Sequence, residues 1–264
     1  MPIHPTAQID PRAEIHGDVE IGPYVVIDGP VRIDRGTRVM AHAVLTGHTR
    51  LGCDNVLHYG AVLGDSPQDL GYSGAETYLE IGARNVFRES VLIHRGTAPG
   101  SSTVIGDDNY FMGHAHVAHN CRVGNNVIMA NSAVLGGHVQ VEDRVFISAC
   151  CTVHQHVRVG TLSLLRGLSK ASRDVPPFCI MDDTHVVRAI NAIGLRRAGF
   201  SAERIRALRR AFVHLFGKRR NMRHAIAELE ARETTDDVRR LLEFICTSKR
   251  GVCFGPRDGS AEEE

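Results

Sequence analysis

The sequence contains no tryptophan, and aromatic residues make up only 5% of its 264 positions. Basic and acidic residues nearly balance, at 31 against 30, which argues against a nucleic-acid-binding protein with a broadly basic surface. No apolar run approaches the roughly 20 residues of a membrane span, and the first residues do not resemble a signal segment. We therefore expect a soluble protein that binds no nucleic acid and does not span a membrane.

The number and spacing of the cysteines do not indicate disulfide bonds. The seven cysteines are an odd number and form no Cys-x-x-Cys pair. In a chain of this size such a set is typical of reduced thiols, so we expect a cytoplasmic protein. Glycine and histidine are instead abundant, with 26 and 15 residues.

A six-residue repeat runs through most of the chain. Every sixth residue is aliphatic from Ile3 to Leu63, and again from Ile105 to Leu165 apart from Phe111. The residue two positions earlier is usually small or β-branched. This period suits short strands joined by tight corners, where Gly and Asn adopt positive φ cheaply. Three hexapeptides predict one coil, and the coils stack into a solenoid around a continuous aliphatic core. Cys121 and Cys151 fall on the small inward position and are expected to fill that core.

The register breaks twice, over residues 65–77 and 95–102. Insertions in a solenoid form external loops on one face, and that face is often the binding face. Because both breaks flank a histidine-rich stretch, we interpret them as functional loops, with tolerated surface loops as the alternative.

The repeat stops after the Asp174–Pro177 segment, since paired prolines break regular structure. We therefore predict a β-solenoid domain over residues 1–178, an α-helical domain over 179–254 and a disordered tail over 255–264. Ser201 is the expected N-cap of the first long helix, and two more helices are expected over 221–232 and 235–248.

Six histidines lie between residues 113 and 156, and none occupies an inward position of the repeat: His114, His116, His119, His138, His154 and His156. Surface or subunit-interface histidines are the plain alternative to a functional cluster. His119, Gly137 and Gln155 are separated by three hexapeptides each, so they should stack on successive coils. A neutral imidazole is a suitable general base, and an unhindered glycine N–H can stabilise an oxyanion. No Ser or Cys shares this column, so an acyl-enzyme intermediate is not expected. The column favours acyl transfer in which a substrate hydroxyl or amine attacks directly.

Several motifs resemble one family in a fixed order along the chain. They are Gln68-Asp69-Leu70, Ile93–Thr97, Ala115–Cys121, Leu135–Val139, Val153–Gln155, Asp174–Pro177 and Gly194–Ser201. Together they look like the UDP-N-acetylglucosamine 3-O-acyltransferases of lipid A biosynthesis. The resemblance covers residues 3 to about 250 and is far more specific than hexapeptides alone.

The resemblance implies a left-handed parallel β-helix followed by a small helical domain, and a homotrimer with active sites between neighbouring subunits. It implies transfer of an (R)-3-hydroxyacyl chain from acyl carrier protein to the sugar 3-hydroxyl, with no cofactor and no metal. His119 matches the general base and the Gly137 N–H the oxyanion donor. The implied substrate-binding positions near the sugar are Asp69 and His116, and those near the acyl group are Gln68 and His138. Gln155, Asn191 and Arg197 are implied near the nucleotide, and Gly167 lies in the region that sets acyl length. His94 and His154 are further implied substrate-binding positions.

Three positions depart from the family pattern. Asn120 replaces an Asp after the catalytic histidine, Gly71 replaces a Lys, and Ala198 interrupts a basic triplet. An Asn can orient an imidazole N–H through its carbonyl, but it lacks the charge that stabilises imidazolium. These changes affect the expected grip on nucleotide and donor more than the expected chemistry.

Other functions stay open on the residues alone. The acceptor could carry an amine at C3 instead of a hydroxyl. An acyltransferase that acts at C2 has an extra N-terminal domain, for which the repeat beginning at Ile3 leaves no room. A metal lyase of the γ-carbonic-anhydrase type could use His114 and His119, although no third ligand is evident. An inactive paralogue is the remaining reading. The arginines of the 201–216 helix could be a solvated face or a docking patch for an acidic carrier protein.

Overall fold

The computed structural model describes residues 3–217, 221–232 and 235–255. The predicted disordered tail lies, except for Gly255, outside the described residues. Over the described ranges the chain forms 27 short strands followed by four helices.

Most strands are only two residues long, because the chain turns a corner after each of them. In chain order they are β1 Gln8–Ile9, β2 Glu14–Ile15, β3 Glu20–Ile21, β4 Val26–Asp28, β5 Arg32–Ile33, β6 Arg38–Val39, β7 Val44–Thr46, β8 His48–Leu51, β9 Val56–Leu57, β10 Val62–Asp65, β11 Tyr78–Ile81, β12 Val86–Phe87, β13 Leu92–His94, β14 Ser102–Ile105, β15 Tyr110–Phe111, β16 His116–Val117, β17 Arg122–Val123, β18 Ile128–Met129, β19 Val134–Leu135, β20 Gln140–Val141, β21 Phe146–Ile147, β22 Thr152–Val153, β23 Arg158–Val159, β24 Leu164–Leu165, β25 Lys170–Ala171, β26 Cys179–Asp182 and β27 Val186–Ile190.

The strands form three sheets that make the sides of the solenoid. The first sheet runs from β1 to β25 with nine strands, the second from β2 to β23 with eight, and the third from β3 to β27 with ten. Each coil supplies one strand to each sheet, and the register advances by three hexapeptides from coil to coil, as in the pairing of Val134 with Thr152. All pairs of strands are parallel except β26 with β27. The expected coil is confirmed, and the architecture is a left-handed parallel β-helix.

The core follows the six-residue pattern closely. Leu45, Leu57 and Leu135 at aliphatic positions have no solvent exposure, as have Cys121 and Cys151 at small positions. The two cysteines therefore fill the core as predicted. The aliphatic column includes few aromatic rings, since the triangular coil is narrow.

The corners use more residue types than expected. Left-handed φ angles occur not only at Gly and Asn but also at other residue types, including His114 (60°), His138 (60°) and His156 (63°). The corner geometry thus turns these histidines out of the core and places them on the surface of the coil.

Both register breaks are external loops at one corner. Val62 pairs with Leu92 instead of Glu80, the residue one regular coil later, so the first loop adds the length of two hexapeptides. Leu92 pairs with His116 instead of Tyr110, so the second loop adds the length of one hexapeptide. Each loop leaves the first sheet and enters the second, and both therefore project from the corner that also carries His119.

The helical part begins later than residue 179. β26 continues the third sheet, with Leu164 paired to Ile180, and β27 turns back antiparallel to it. In β26 the buried Cys179 and Met181 alternate with more exposed neighbours, which is the period of two of an ordinary strand. The hexapeptide repeat has ended before this point, so its period does not predict the strand. The helices are α1 Ala192–Arg197, α2 Ala202–Phe216, α3 Met222–Glu230 and α4 Asp236–Cys246. Ser201 caps α2 by accepting a hydrogen bond from the Arg204 N–H, as predicted. Within the described ranges, none of these helices is long and apolar enough to cross a membrane.

Candidate active site

The site lies at the corner where the strands of the first sheet end. His119 follows β16, Gly137 follows β19 and Gln155 follows β22, so the predicted column occupies this corner on three successive coils. Backbone hydrogen bonds tie the coils together here, from the His138 N–H to the His119 carbonyl and from the His156 N–H to the Gly137 carbonyl, both 3.0 Å.

His119 lies directly over Gly137. A Cβ atom on Gly137 would come within 2.7 Å of both Cε1 and Nε2 of the imidazole, closer than real side chains approach. Among the described residues the Gly137 N–H has no hydrogen-bond partner. The position therefore requires glycine, and it leaves one free backbone donor beside the imidazole.

Asn120 fixes the tautomer of His119. Its Oδ1 accepts a hydrogen bond from the Thr97 N–H at 3.1 Å and lies 2.9 Å from His119 Nδ1. An amide oxygen is only an acceptor, so Nδ1 must carry the proton. The lone pair then lies on Nε2, which is the nitrogen that can act as a base. The replacement of Asp by Asn keeps this orientation without a negative charge.

Asp69 reaches the other side of the imidazole from the first loop. Its Oδ2 is 3.8 Å from His119 Nε2, longer than a hydrogen bond, and its Oδ1 accepts from the Gly71 N–H at 2.9 Å. The gap lies between a base and a carboxylate, so a substrate hydroxyl there can contact both. Gly71 supplies a backbone donor that holds the carboxylate in place.

Arg95 joins the two loops. Its Nη1 donates to the Gly64 carbonyl at 2.8 Å, and its Nη2 donates to the Tyr72 hydroxyl at 3.0 Å and to Ser66 Oγ at 3.2 Å. Its guanidinium also lies 5.6 Å from the centre of the Tyr72 ring. Through these contacts the second loop orders the first loop, which carries Asp69.

His94 and His116 form a second, more buried pair. His116 Nε2 is 3.2 Å from His94 Nδ1, and His94 is only 2% exposed. Burial lowers the pKa of His94 to about 4, with a further contribution from His116, and burial also lowers the pKa of His116. Both rings are therefore neutral near pH 7 and can donate or accept one hydrogen bond each.

His138 and His156 extend the row of imidazoles along the corner. The ring of His138 is perpendicular to His119 at 5.3 Å between centres and stacked on His156 at 4.6 Å. Partial burial lowers the pKa of His138, and the two neighbouring histidines lower it further. The structure thus brings together His119, Gly137, Asp69 and His138 as the resemblance implies.

The other predicted residues near the corner are open to solvent. Gln68 is exposed at the base of the first loop, and Gln155 is exposed on the coil beyond Gly137. His154 Nδ1 lies 3.5 Å from Arg250 Nη2. Gly167 is exposed, and a Cβ there would find Ala149 O at 3.6 Å as its nearest neighbour. The space around Gly167 is therefore large enough for more than a methyl group.

Two predicted residues lie apart from the cluster in the described structure. Asn191 caps α1, since its Oδ1 accepts from the Gly194 N–H and its Nδ2 donates to the Leu162 carbonyl. Arg197 is exposed in the last turn of α1. No contact among the described residues of one chain joins either of them to His119.

Sequence reasoning missed the roles of Thr97 and Arg95. Both lie in the Ile93–Thr97 motif, for which the resemblance implies a role only for His94. Their contacts depend on how the two loops fold across the corner, and the hexapeptide register does not specify that.

The geometry offers no ligand set for a metal lyase. His114 and His119 flank β16 and lie at different corners of the coil. Over the described ranges, no three His, Cys, Asp or Glu side chains lie close enough together to hold a metal ion.

The arginine patch on α2 is partly engaged within the chain. Arg204 forms two 2.8 Å hydrogen bonds with Asp237 and stacks at 3.7 Å on Phe200. Arg206, Arg209 and Arg210 are exposed. One of the four cations of the predicted docking patch is therefore already paired with a carboxylate of α4.

Comparison with known proteins places the chain in a family. Residues 102–137 match the bacterial transferase hexapeptide family, and residues 174–253 match the second domain of UDP-N-acetylglucosamine O-acyltransferases. A curated protein of Thermodesulfovibrio yellowstonii, named acyl-[acyl-carrier-protein]–UDP-N-acetylglucosamine O-acyltransferase, is 42% identical over 95% of this chain and 98% of its own length. The protein with the same name from Syntrophobacter fumaroxidans is 44% identical over 96% and 99%.

Solved structures agree along the whole fold. LpxA from Bacteroides fragilis, a UDP-N-acetylglucosamine acyltransferase, is 37% identical with a TM-score of 0.90 over 95% of this chain and 99% of that one. LpxA from Acinetobacter baumannii is 36% identical with a TM-score of 0.91 over 96% and 99%. These relatives share both the coil and the C-terminal domain with this chain, which therefore belongs to the acyl-[acyl-carrier-protein]–UDP-N-acetylglucosamine O-acyltransferase family.

Proposed function

We propose that the protein transfers an (R)-3-hydroxyacyl chain from acyl carrier protein to the 3-hydroxyl of UDP-N-acetylglucosamine, the first step of lipid A biosynthesis. The observation that carries this is the position of His119, whose unprotonated Nε2 lies beside Gly137, and the Gly137 N–H has no partner among the described residues. The names of the relatives support both substrates.

The reaction needs one base and one oxyanion donor. Nε2 of His119 takes the proton of the 3-hydroxyl, and that oxygen attacks the thioester carbonyl carbon. The Gly137 N–H stabilises the negative charge on the carbonyl oxygen. The intermediate collapses, the C–S bond breaks, and the imidazolium returns the proton to the thiolate. The products are the ester on the sugar and the free thiol of the carrier.

The neighbouring side chains divide between the two substrates. Asp69 and the His94–His116 pair face the sugar, and Gln68 and His138 lie near the acyl group. His154, Gln155, Asn191 and Arg197 contact the nucleotide, the last two from a neighbouring subunit. Gly167 lies in the region that sets acyl length, and its open surroundings support a long chain.

The unequal sheet faces support a homotrimer. The outward residues of the second sheet are mostly charged or polar, such as Arg32, Glu80 and Arg122, whereas those of the first and third are mostly apolar, such as Val44 and Phe146. Two different apolar faces on one protomer favour a heterologous contact, which closes into a ring. The site corner borders one of these faces, so a neighbouring subunit completes the cleft.

The thiols support a reducing compartment. All seven cysteines are free, and Cys121, Cys151, Cys179 and Cys253 are buried. We place the reaction in the cytoplasm on this ground.

The transfer assay tests the proposal. Purified protein is given UDP-N-acetylglucosamine or its 3-amino analogue, with 3-hydroxyacyl carrier proteins of different chain length. We expect acylation of the 3-hydroxyl compound. Preferred acylation of the amine would establish the alternative acceptor, and no product from any pair would favour an inactive paralogue.

Gly137→Ala is the matched variant for the site. The added methyl group would push His119 aside, so transfer should fall about 100-fold or more. Gly17→Ala is the control, because a Cβ there meets nothing within 4 Å. Equal rates for the two variants would contradict the assigned corner.

A further inference from the structure

A groove of about 750 Å³ runs along the outer face of the second sheet, beside the active-site corner. Its floor is made by Arg122, Gln140 and Arg158, which occupy the same outward register position on β17, β20 and β23. One wall is the segment from Thr247 to Arg250, and the other includes Gly100 and Ser101 of the second loop. The groove opens at Asn120, His138 and His156, next to His119.

The groove collects four cationic side chains: Arg122, Arg158, Lys249 and Arg250. Arg158 donates to Thr247 Oγ1 at 3.1 Å, and Arg250 donates to the Ser172 carbonyl at 3.3 Å. Over the ranges that the structure describes, none of the four forms an ion pair, and the side chains of Arg122 and Lys249 have no hydrogen-bond partner at all.

The single carboxylate in the groove does not neutralise them. Asp174 is 1% exposed, and its oxygens accept from the Arg158 N–H at 2.9 Å and from the Ser248 hydroxyl at 2.7 Å. Elsewhere this chain pairs arginines with carboxylates, as in Arg84 with Asp108 at 2.7 Å and Arg188 with Asp182 at 2.8 Å. The groove thus gathers four cationic side chains in one place, and within the described ranges no carboxylate forms an ion pair with any of them.

The position of the groove indicates which substrate it serves. Asp69, assigned to the sugar, approaches His119 from the loop that leaves the first sheet, whereas the groove lies on the second sheet. His138, assigned to the acyl group, lines the groove itself. An acyl donor that lies along the second sheet would thus reach the corner that carries His119 and Gly137.

We propose that this groove binds the phosphate of the acyl donor, which joins the pantetheine arm to the carrier protein. This inference rests on the proposed function and names the donor subsite of the same active site. Arg122 and Lys249 are the primary ligands, since they are unpartnered, and arginine matches a phosphate with paired donors. Arg158 and Arg250 add positive charge along the groove.

The test compares two small donors that differ only in the phosphate, 3-hydroxyacyl-phosphopantetheine and 3-hydroxyacyl-pantetheine. For the wild-type protein we expect kcat/KM to be about tenfold or more higher with the phosphorylated donor. In the Arg122→Ala/Lys249→Ala double variant this advantage should nearly vanish, while kcat/KM for the unphosphorylated donor and KM for the sugar nucleotide stay at wild-type values. The wild-type advantage should also shrink as salt is raised.

Arg50→Ala is the matched control. Arg50 is exposed on the same sheet face but lies outside the groove, so this variant should keep the full phosphate advantage. An undiminished advantage in the double variant would overturn the inference. So would a rise in KM for the sugar nucleotide alone, which would assign the cations to the diphosphate of the acceptor.

Calorimetric binding of free phosphopantetheine separates this inference from the proposed function. Binding to the wild type that weakens about tenfold in the double variant supports the groove even if no transfer is detected. Equal binding to the two proteins, or none to either, would refute it, whatever the transfer assay shows.

Discussion

Asn120 controls the orientation and the tautomer of the His119 imidazole. Its side-chain oxygen is held by the Thr97 N–H and in turn holds the proton on His119 Nδ1. An uncharged partner orients the imidazole but gives the imidazolium no counter-charge, so His119 relies on Asp69 for electrostatic support, across 3.8 Å. The positioning of the base and its electrostatic stabilisation are thus supplied by different residues.

Substitutions at Asn120 separate these two contributions. Asn120→Leu removes the acceptor, so kcat should fall roughly 10- to 100-fold with little change in KM. Asn120→Asp keeps the acceptor and adds charge, so the acidic limb of the kcat/KM–pH profile should move to higher pH. Pre-steady-state and steady-state rates over pH 5–9 measure both. An unchanged profile for Asn120→Asp would show that this side chain does not act on the base.

His94 predicts a pH dependence of stability. Its folded pKa of about 4 lies below the value near 6.5 in the unfolded chain, so the unfolded state binds more protons between these limits. The free energy of unfolding should therefore fall by about 3 kcal/mol as the pH drops from about 6.5 to about 4.

Urea unfolding at pH 7 and pH 4.5, for the wild type and His94→Asn, checks this prediction. The variant is expected to be less stable at pH 7 and to lose less stability on acidification. His224→Asn, at an exposed position on α3, should behave as the wild type does. The same acid-induced loss in all three proteins would assign it to other groups.

The two loops act as one element because Arg95 connects them. Apart from Asp65 and Ser102 at their ends, neither loop belongs to a strand. The first loop is held by the Arg95 contacts to Gly64, Ser66 and Tyr72 and by a 2.9 Å hydrogen bond from the Gly100 N–H to the Glu76 carbonyl. Since the first loop carries Asp69, the position of the carboxylate that we propose binds the sugar depends on a guanidinium that belongs to the second loop. Loop order, more than coil stability, should respond to changes at Arg95.

Arg95→Ala is expected to raise KM for the sugar nucleotide about tenfold while the melting temperature changes by only a few degrees. Arg95→Lys should recover little, because an ammonium cannot reproduce the forked set of hydrogen bonds. Steady-state kinetics with the sugar nucleotide varied provides the measurement. Arg84→Ala removes a comparable surface arginine and should leave KM unchanged. An equal rise in KM for Arg84→Ala would show that the effect of Arg95→Ala does not depend on the contact between the loops.

The sequence predicts most of the strand order, because the hexapeptide repeat has a direct structural meaning. Two inward positions in every six define the coil, so the repeat specifies the core, the register of three hexapeptides per coil and the column of His119, Gly137 and Gln155. The strands β26 and β27 were missed because they follow the last hexapeptide and alternate with a period of two. The Thr97–Asn120 contact was missed because it joins a loop to a corner, and the repeat contains no information on loop conformation.

At the level of the whole molecule, the three sheet faces have different chemistry. The first and third sheets present apolar residues such as Val134, Ile128 and Phe146, and the second presents charge. This difference supports the proposed assembly, in which the second sheet and its basic groove would face solvent. Leu70 is fully exposed on the first loop, and in the proposed trimer we expect it to contact a neighbouring subunit.

The assembly prediction is a native mass of three times the 28.9 kDa chain, measured by light scattering on eluted protein. Phe146→Glu places a charge on the apolar third sheet and should shift the population toward monomer, because an unpaired charge is costly to bury. Arg50→Glu makes a similar change on the second sheet and should leave the mass unchanged. A wild-type monomer at micromolar concentration would contradict the assembly.

The central claim is that His119 transfers the proton in a direct attack, without an acyl-enzyme. The most direct measurement is single-turnover acyl transfer from 3-hydroxyacyl carrier protein to UDP-N-acetylglucosamine, with the wild type and His119→Ala compared and the protein mass followed throughout. We expect a loss of about 10²- to 10⁴-fold in rate for the variant and no acylated protein at any time. A variant that keeps the wild-type rate, or a wild-type protein that carries the acyl group before the sugar does, would contradict it.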